Sequence, residues 1–397
     1  MKKLLWITTG DLLNLKGYGL RVLKAKYLID QSFPLSKHII YDFENFKSYL
    51  NNKYRINLIK GRFDKSFFSM LLPNRYMVLY ICNIILTIIK LIAVILLSRP
   101  NFVYCHGTRA GIPLAILKKL RFKVSLVTDV HGVVSEEVIA LGIYNRNSLF
   151  HKLDRYLEKM VITSSNKVIY VSEKMKNYYK LYNDEAFTIP CFYDEKIFYF
   201  DESNREEIRD KLNFKDKIVF VYSGSTLPWQ KIEETFKIFA EIKKIEKKAF
   251  LLVLSGTDRE FFYDFAEKYF IDKNDIYISS LEQNQMKKFL SASDFAFMLR
   301  DENLLNDVSS PTKFCEYLAC GLPVIISKGV GDFTELVRKN NIGIVVDDFR
   351  INEDELVLLI NSDRTVLRGK CISIANDNYR SSNYLHIYTR IFNNEKP

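Results

Sequence analysis

Lys313 and Glu316 stand three residues apart behind Ser309-Ser310-Pro311-Thr312, and Gly321 and Pro323 close the segment ahead of the apolar run Val324-Ile325-Ile326. Ser310 is a good N-cap, Pro311 suits the first helical position and the Gly and Pro supply a stop, so a helix of about ten residues is predicted. Free N–H groups at its start, the hydroxyls of Ser309, Ser310 and Thr312 and the Lys313 ammonium would hold a phosphate or diphosphate. A carboxylate would be wasted on an anion, but Glu316, roughly one turn beyond Thr312, is placed to accept hydrogen bonds from ribose hydroxyls. A capped packing helix with an exposed Lys and Glu accounts for the same residues, and both readings stay open at this level. A second segment, Ser223-Gly224-Ser225 through Lys231, follows a predicted strand, turns on Gly224 and delivers Lys231 at the start of the next helix. That geometry also suits a phosphate. It is not a Walker A loop, which needs a second Gly immediately before the Lys, where this chain has Gln230.

Earlier in the chain, His106 and His131 each fall just past a predicted strand, in Cys105-His106-Gly107 and Asp129-Val130-His131-Gly132. Strand ends are where a doubly wound sheet presents its ligand loops, and imidazole is the side chain best suited to proton traffic near neutrality. Asp129, Glu136 and Glu137 are close enough in sequence to orient His131 or an acceptor hydroxyl. Carboxylates also collect at helix N-termini for their own sake. Gly17-Tyr18-Gly19 precedes a helical pattern and reads as a tight loop or a plain turn.

The elements that must position these groups alternate. Lys3–Thr8, Phe102–Cys105, Val124–Val130 and Lys167–Val171 are strand-like and are separated by amphipathic stretches at 21–28 and 112–120. A second series follows, at 218–222, 250–254, 275–279, 295–299, 323–327 and 343–346, with helical patterns such as 233–245 and 285–290 between them. This is βα alternation, and it predicts parallel, doubly wound sheets. A length of 397 residues implies two or three domains, and two Rossmann-like halves joined near 187–200 are the economical division: 1–190, with 380–397 packing back on it, and 191–379. The composition is 48% hydrophobic and 26% charged, which excludes disordered, collagenous and mucin-like classes. Six cysteines without a Cys-x-x-Cys pair suggest neither a zinc ribbon nor a disulfide framework, and point to a reducing compartment.

Taken together, Ser-Gly-Ser followed by Lys231, and Ser-Pro-x-Lys313-x-x-Glu316-Tyr-Leu-Ala-x-Gly-x-Pro-Val, resemble the donor half of the GT-B glycosyltransferases, specifically glycosyltransferase family 4 (group 1). Val171-Ser172-Glu173, Ile189-Pro190 with Asp194 and Phe198, and the glycine turn Gly329-Val330-Gly331-Asp332 are similar to further family segments. The resemblance implies a GT-B fold, two Rossmann-like domains facing across a cleft. It implies transfer of a sugar from a nucleoside diphosphate sugar to a glycan or lipid-linked acceptor, usually with retention and without bound metal or other cofactor. Polysaccharide assembly at the bacterial surface, as lipopolysaccharide or capsule, is the expected setting. By the same resemblance Lys231 and Lys313 would bind the donor diphosphate, with Arg300 and Ser309, Ser310 and Thr312 adding to that site. Glu316 would bind the ribose, Gly224 and Ser225 would form the first donor loop, and Gly17 and Gly19 would face the donor. His131 would be the active-site histidine, with His106, Asp129 and Glu136 on the acceptor side. Ser225 stands where the family often has Arg, and Val308 stands where it often has a first Glu. A nucleotide-sugar 2-epimerase shares the architecture, and a non-catalytic donor-binding subunit would share the residues.

Charge is uneven along the chain. Residues 1–128 carry 21 Lys and Arg against 5 Asp and Glu, a balance of +16, which leaves −5 for the remainder of a chain whose total is +11. Such a surface attracts anions, and with the resemblance it is assigned to an anionic membrane and not to nucleic acid. The 22 residues from Met77 to Ser98 are apolar except for Asn83 and Lys90, with Pro73, Arg75 and Arg99 flanking them. They are open to three readings: a span, a helix in the domain core, and a helix lying in the membrane interface. The N-terminal apolar run is too short for a signal peptide, so a cytoplasmic protein peripheral on the inner membrane face is expected.

Overall fold

The structure, a computed structural model, describes residues 2–9, 18–45, 61–71 and 77–393. The chain forms two compact units, one running to Pro190 and rejoined by the stretch from Tyr384, the other Cys191–Asn383.

In the first unit seven strands, β1 (Lys3–Thr8), β2 (Lys37–Asn45), β3 (Lys65–Leu71), β4 (Phe102–His106), β5 (Leu126–Val130), β6 (Lys167–Tyr170) and β7 (Ala186–Thr188), form one sheet in the order β3-β2-β1-β4-β5-β6-β7. Every pairing is parallel. β1 and β4 are fully apolar at their centres because helices cover both faces, the condition under which a parallel sheet is stable. Trp6 and Tyr104 are completely buried, and the Trp6 indole N–H donates to His38 Nδ1 at 2.9 Å. The Leu385–Phe392 helix packs on the Tyr18–Ser32 helix, and Phe392 meets Phe102 edge-on at 5.2 Å.

In the second unit β8 (Ile218–Ser223), β9 (Ala249–Leu254), β10 (Ile276–Ser279), β11 (Phe295–Met298), β12 (Val324–Ser327) and β13 (Gly343–Val346) form a second parallel sheet, β10-β9-β8-β11-β12-β13. Both sheets reverse strand order once, between β1 and β4 and between β8 and β11. In each sheet taken by itself, the carboxyl ends at the reversal are where a doubly wound fold offers its ligand site.

A buried acid in the first unit makes its stability depend on pH. Glu158, on the Leu149–Ser164 helix, is 3% exposed, and burial pushes its carboxyl up to about 7, with Arg155 opposing. The folded state therefore keeps this proton to a higher pH than the unfolded chain, whose ordinary value is 4.5. The resulting stability is complete below that value and is lost as pH rises to about 7, by up to about 3 kcal/mol. Urea midpoints of Glu158→Gln, which cannot ionise, should overtake those of the wild type across this window. A difference that stays constant with pH would remove Glu158 as the cause.

Candidate functional site

At the end of β8 the chain turns on Gly224, whose φ of +139° is one that L side chains rarely adopt. A Cβ at that position would lie 1.5 Å from Lys313 Nζ, so the Lys313 side chain fills the space the glycine leaves open. Lys313 comes from the Thr312–Ala319 helix, one residue past its start. Tyr317, one helical turn further on the same face, fixes that helix to β8: its phenolic oxygen accepts from the Ser223 N–H and pairs with Ser223 Oγ, both at 3.0 Å. The Lys313 side chain is half-buried along its length, but its ammonium is enclosed and has no hydrogen-bond partner. Burial, together with the neighbouring Arg300 guanidinium, pulls it down to about 7, with Glu316 opposing.

Arg300 follows β11, across the order reversal from Gly224. It is 9% exposed, its N–H donates to Ser327 Oγ at 2.7 Å and its Nη1 donates to Asn306 Oδ1 at 3.2 Å. Asn306 is fully buried and ties the loop together: its Nδ2 donates to the Asp301 carbonyl, and its own carbonyl accepts from Ser309 Oγ and the Gly331 N–H. Lys231 is left-handed at φ 45° and is engaged, its ammonium 3.1 Å from Asp301 and 3.3 Å from Glu234. Burial lowers its pKa, but those carboxylates outweigh burial and the net shift is upward. Two buried cations, one without a hydrogen-bond partner, therefore sit at the carboxyl ends of β8 and β11, an arrangement that suits a multiply charged anion.

The first unit gathers a different set. Asp129, completely buried at the end of β5, receives both Nε and Nη2 of Arg21 at 3.0 Å and the Tyr104 hydroxyl at 2.5 Å. Burial would raise this carboxyl, but the Arg21 guanidinium holds it far below the usual carboxylate range. Arg21 also donates to the Ile189 and Pro190 carbonyls. His131 Nδ1 is 3.5 Å from Asp129, and its Nε2 is 2.8 Å from His106 Nδ1. Burial lowers His131 to about 4 against the pull of Asp129, so the ring is neutral at pH 7. His106, Asp129 and His131 converge within 4.8 Å, a spacing a metal ion accepts. The donor set does not fit one, because Asp129 is already taken by Arg21 and Tyr104 and a cation there would meet the guanidinium.

Two sequence families divide the chain between them: the group 1 glycosyl transferases match residues 204–362 and glycosyltransferase family 4 matches residues 65–196. Two parts of the chain are thus similar to glycosyltransferases, the later one to group 1 and the earlier one to family 4. An uncharacterized glycosyltransferase of Methanocaldococcus jannaschii is 26% identical over 275 residues, which is 67% of this chain and 63%, less than two thirds, of that relative. Sucrose-phosphate synthase from Thermosynechococcus elongatus superposes with a TM-score of 0.73 at 13% identity over 99% of both chains. Anabaena HepE in complex with UDP gives 0.73 at 13% identity, over 99% of this chain and 100% of that one. At such identities the likeness shows the fold, which is GT-B.

The structure brings Gly224, Arg300, Lys313 and Glu316 to one end of the second sheet, and His106, Asp129 and His131 to one end of the first. Other expected residues stand apart. The Thr312–Ala319 helix begins one residue later than expected, with Pro311 in the capping position, and is eight residues long. Ser310 is buried and its hydroxyl accepts from the Cys191 N–H at 3.0 Å, while Ser309 caps back onto Asn306. Glu136 is held by Arg146 at 2.6 Å and lies 3.6 Å from His151. Ser225 is exposed, its carbonyl accepting from the Tyr222 hydroxyl at 2.6 Å. Gly19 lies in the Tyr18–Ser32 helix, and Gly17 falls outside the described residues. Arg21, Tyr104, Asn306 and Tyr317, which complete both clusters, went unnoticed in the sequence. A basic residue two positions after Gly-x-Gly was the available signal for Arg21.

Proposed function

We propose that this glycosyltransferase moves a sugar from a nucleoside diphosphate sugar to a glycan or lipid-linked acceptor in cell-surface polysaccharide assembly, with retention of configuration. The enclosed Lys313 ammonium, over Gly224 and the Tyr222 ring and without a hydrogen-bond partner, carries the reading. As the glycosidic bond breaks, negative charge develops on the leaving diphosphate, and cations already fixed in a desolvated site stabilise that charge without reorganising. Arg300 adds a second fixed charge. Lys231 joins by exchanging Asp301 and Glu234, partly exposed partners whose hold is weak, for a phosphate of higher charge. On the acceptor side, a cavity of about 410 Å³ lined by Tyr80, Val138, Ile143 and Phe150, with Arg109 and Asp154 at its polar edge, suits the apolar part of a lipid-linked acceptor.

A thermal-shift screen of nucleoside diphosphates tests the donor site, because a ligand of the native state raises stability by mass action. UDP is the first to try, since the similar HepE structure holds it. A screen without any stabilising diphosphate would overturn the assignment. Glu316→Gln should weaken the bare diphosphate about tenfold, because a ribose contact does not depend on the sugar. Unchanged diphosphate binding with reduced transfer would place Glu316 on the sugar or the acceptor instead.

A further inference from the structure

The Met77–Ser98 helix of the first unit is built inside out. Its buried side carries two of its polar residues, Asn83 and Thr87, followed by Leu91, Val94 and Ile95, which join the core of β1, β4 and the Thr108–Lys119 helix. Its outer side is a continuous stripe of Val78, Ile81, Ile85, Ile89 and Leu96, widened by Leu86 and Leu97, with exposures from 45% to 81%. A surface helix of a soluble domain shows the opposite arrangement, with apolar residues inward and polar residues outward. Lys90 is the charged residue exposed on that side, its ammonium donating to Ser69 Oγ at 2.8 Å. The exposed apolar residues run from Val78 to Leu97, about 30 Å at about 1.5 Å per residue.

Charge identifies the occupant. From Lys65 to Thr128 the chain has no Asp or Glu and nine Lys or Arg. Two of these, Arg121 and Lys123, flank Phe122, which packs into the same cluster as Leu91, Val94 and Ile95, while Lys118 and Lys119 reach to Asn166 and Tyr156. Arg99 is exposed just past its end. A second copy meeting this face would bring like charge against like charge, whereas an anionic lipid surface complements it.

We infer that the Met77–Ser98 helix is a membrane-docking face that lies flat in an anionic bilayer surface, its apolar stripe among the acyl chains and the flanking Lys and Arg at the headgroups. A span is the wrong geometry. Crossing the bilayer would strip Leu91, Val94 and Ile95 from the core and carry Asn83, Thr87 and Lys90 into hydrocarbon. Ile88 packs inward, so the informative positions are Ile85 and Ile89.

The purified full-length chain should co-sediment with phosphatidylcholine vesicles containing phosphatidylglycerol, bind pure phosphatidylcholine several-fold less, and lose most of that preference in about 1 M salt, where the Debye length falls to about 3 Å. Ile85→Ser/Ile89→Ser should reduce binding at least about fivefold while keeping the thermal shift given by UDP, which reports an intact donor unit. Wild-type protein that stays in the supernatant with both vesicles overturns the inference. So does resistance of the bound protein to alkaline carbonate, which would indicate a span, or a salt-resistant dimer dissolved by the same substitutions, which would make a second copy the occupant. None of these outcomes bears on sugar transfer, which is tested separately through Lys313.

Discussion

Replacing Lys313 by Ala is expected to lower turnover about 100-fold, equivalent to about 2.7 kcal/mol of transition-state stabilisation, and to weaken the nucleoside diphosphate itself. Lys231→Ala should cost closer to tenfold, because that ammonium must first leave Asp301 and Glu234. The free protein should respond in the opposite sense. An enclosed ammonium without a hydrogen bond costs stability, so Lys313→Met should raise the melting temperature of the unliganded protein while removing any stabilisation that a nucleoside diphosphate gives the wild type. The sign with pH is also fixed. Lys313 is lowered to about 7 in the folded state from 10.5, so the folded state binds fewer protons above pH 7 and its penalty is relieved as pH rises toward 10.5. Diphosphate binding needs the charged form, so affinity should fall above pH 7, and the Met variant should lose that dependence. A variant with full turnover, or one whose free form is destabilised as an ordinary core substitution would be, would return Lys313 to a packing role.

The division between what the sequence showed and what it hid has physical causes. The central strands of both sheets are continuous apolar runs bounded by turn residues, so β1 and β13 emerge residue for residue and β4, β8 and β11 within one residue at an end. The strands that went unseen are β2, β3 and β7. β2 reads Lys-His-Ile-Ile-Tyr-Asp-Phe-Glu-Asn, where charges break the apolar run, β3 is an edge strand, and β7 has only three residues. Each is held by its neighbour's backbone and not by a pattern of its own. The Met77–Ser98 segment was legible as a helix, but its orientation was not. Which side of a uniformly apolar helix faces the protein is decided by the sheet beneath it.

The cluster at the carboxyl ends of β8 and β11 followed the same rule. Gly224, Lys313 and Glu316 announce themselves through capping and turn chemistry, which is local. Tyr317 and Asn306 look like ordinary helix and loop residues, and their importance comes from partners 94 residues away in one case and from a knot of loop carbonyls in the other. Ser310 misled because a hydroxyl before a proline is a standard cap, yet here the chain at Cys191 takes it. Arg300 was visible as a charge at a strand end, and its buried setting beside Lys313 gives that charge its effect.

Asp129→Ala is expected to destabilise the first unit by about 3–5 kcal/mol, the cost of leaving a buried guanidinium without its carboxylate. Arg21 also donates to the Ile189 and Pro190 carbonyls, which share its charge without neutralising it. Asp129→Asn is milder, about 1–3 kcal/mol, because an amide still accepts from one guanidinium nitrogen and from Tyr104. Denaturant midpoints measure both. The pair also sets the environment of His131, since Asp129 raises that imidazole while burial and Arg21 lower it. Neutralising Asp129 leaves the lowering effects unopposed, so the ring should titrate below the value of about 4 that it has in the intact protein. Turnover distinguishes support from chemistry. If the carboxylate serves only to hold Arg21, then Arg21→Leu/Asp129→Leu, which removes both charges, should recover much of the lost stability and activity together. If it orients His131 toward the reacting sugar or acceptor, stability should return in the double variant while turnover stays at least about 100-fold down, with diphosphate affinity unchanged because Lys313 and Arg300 are untouched. Recovery of turnover alongside stability would leave His131 without a carboxylate-dependent role in transfer.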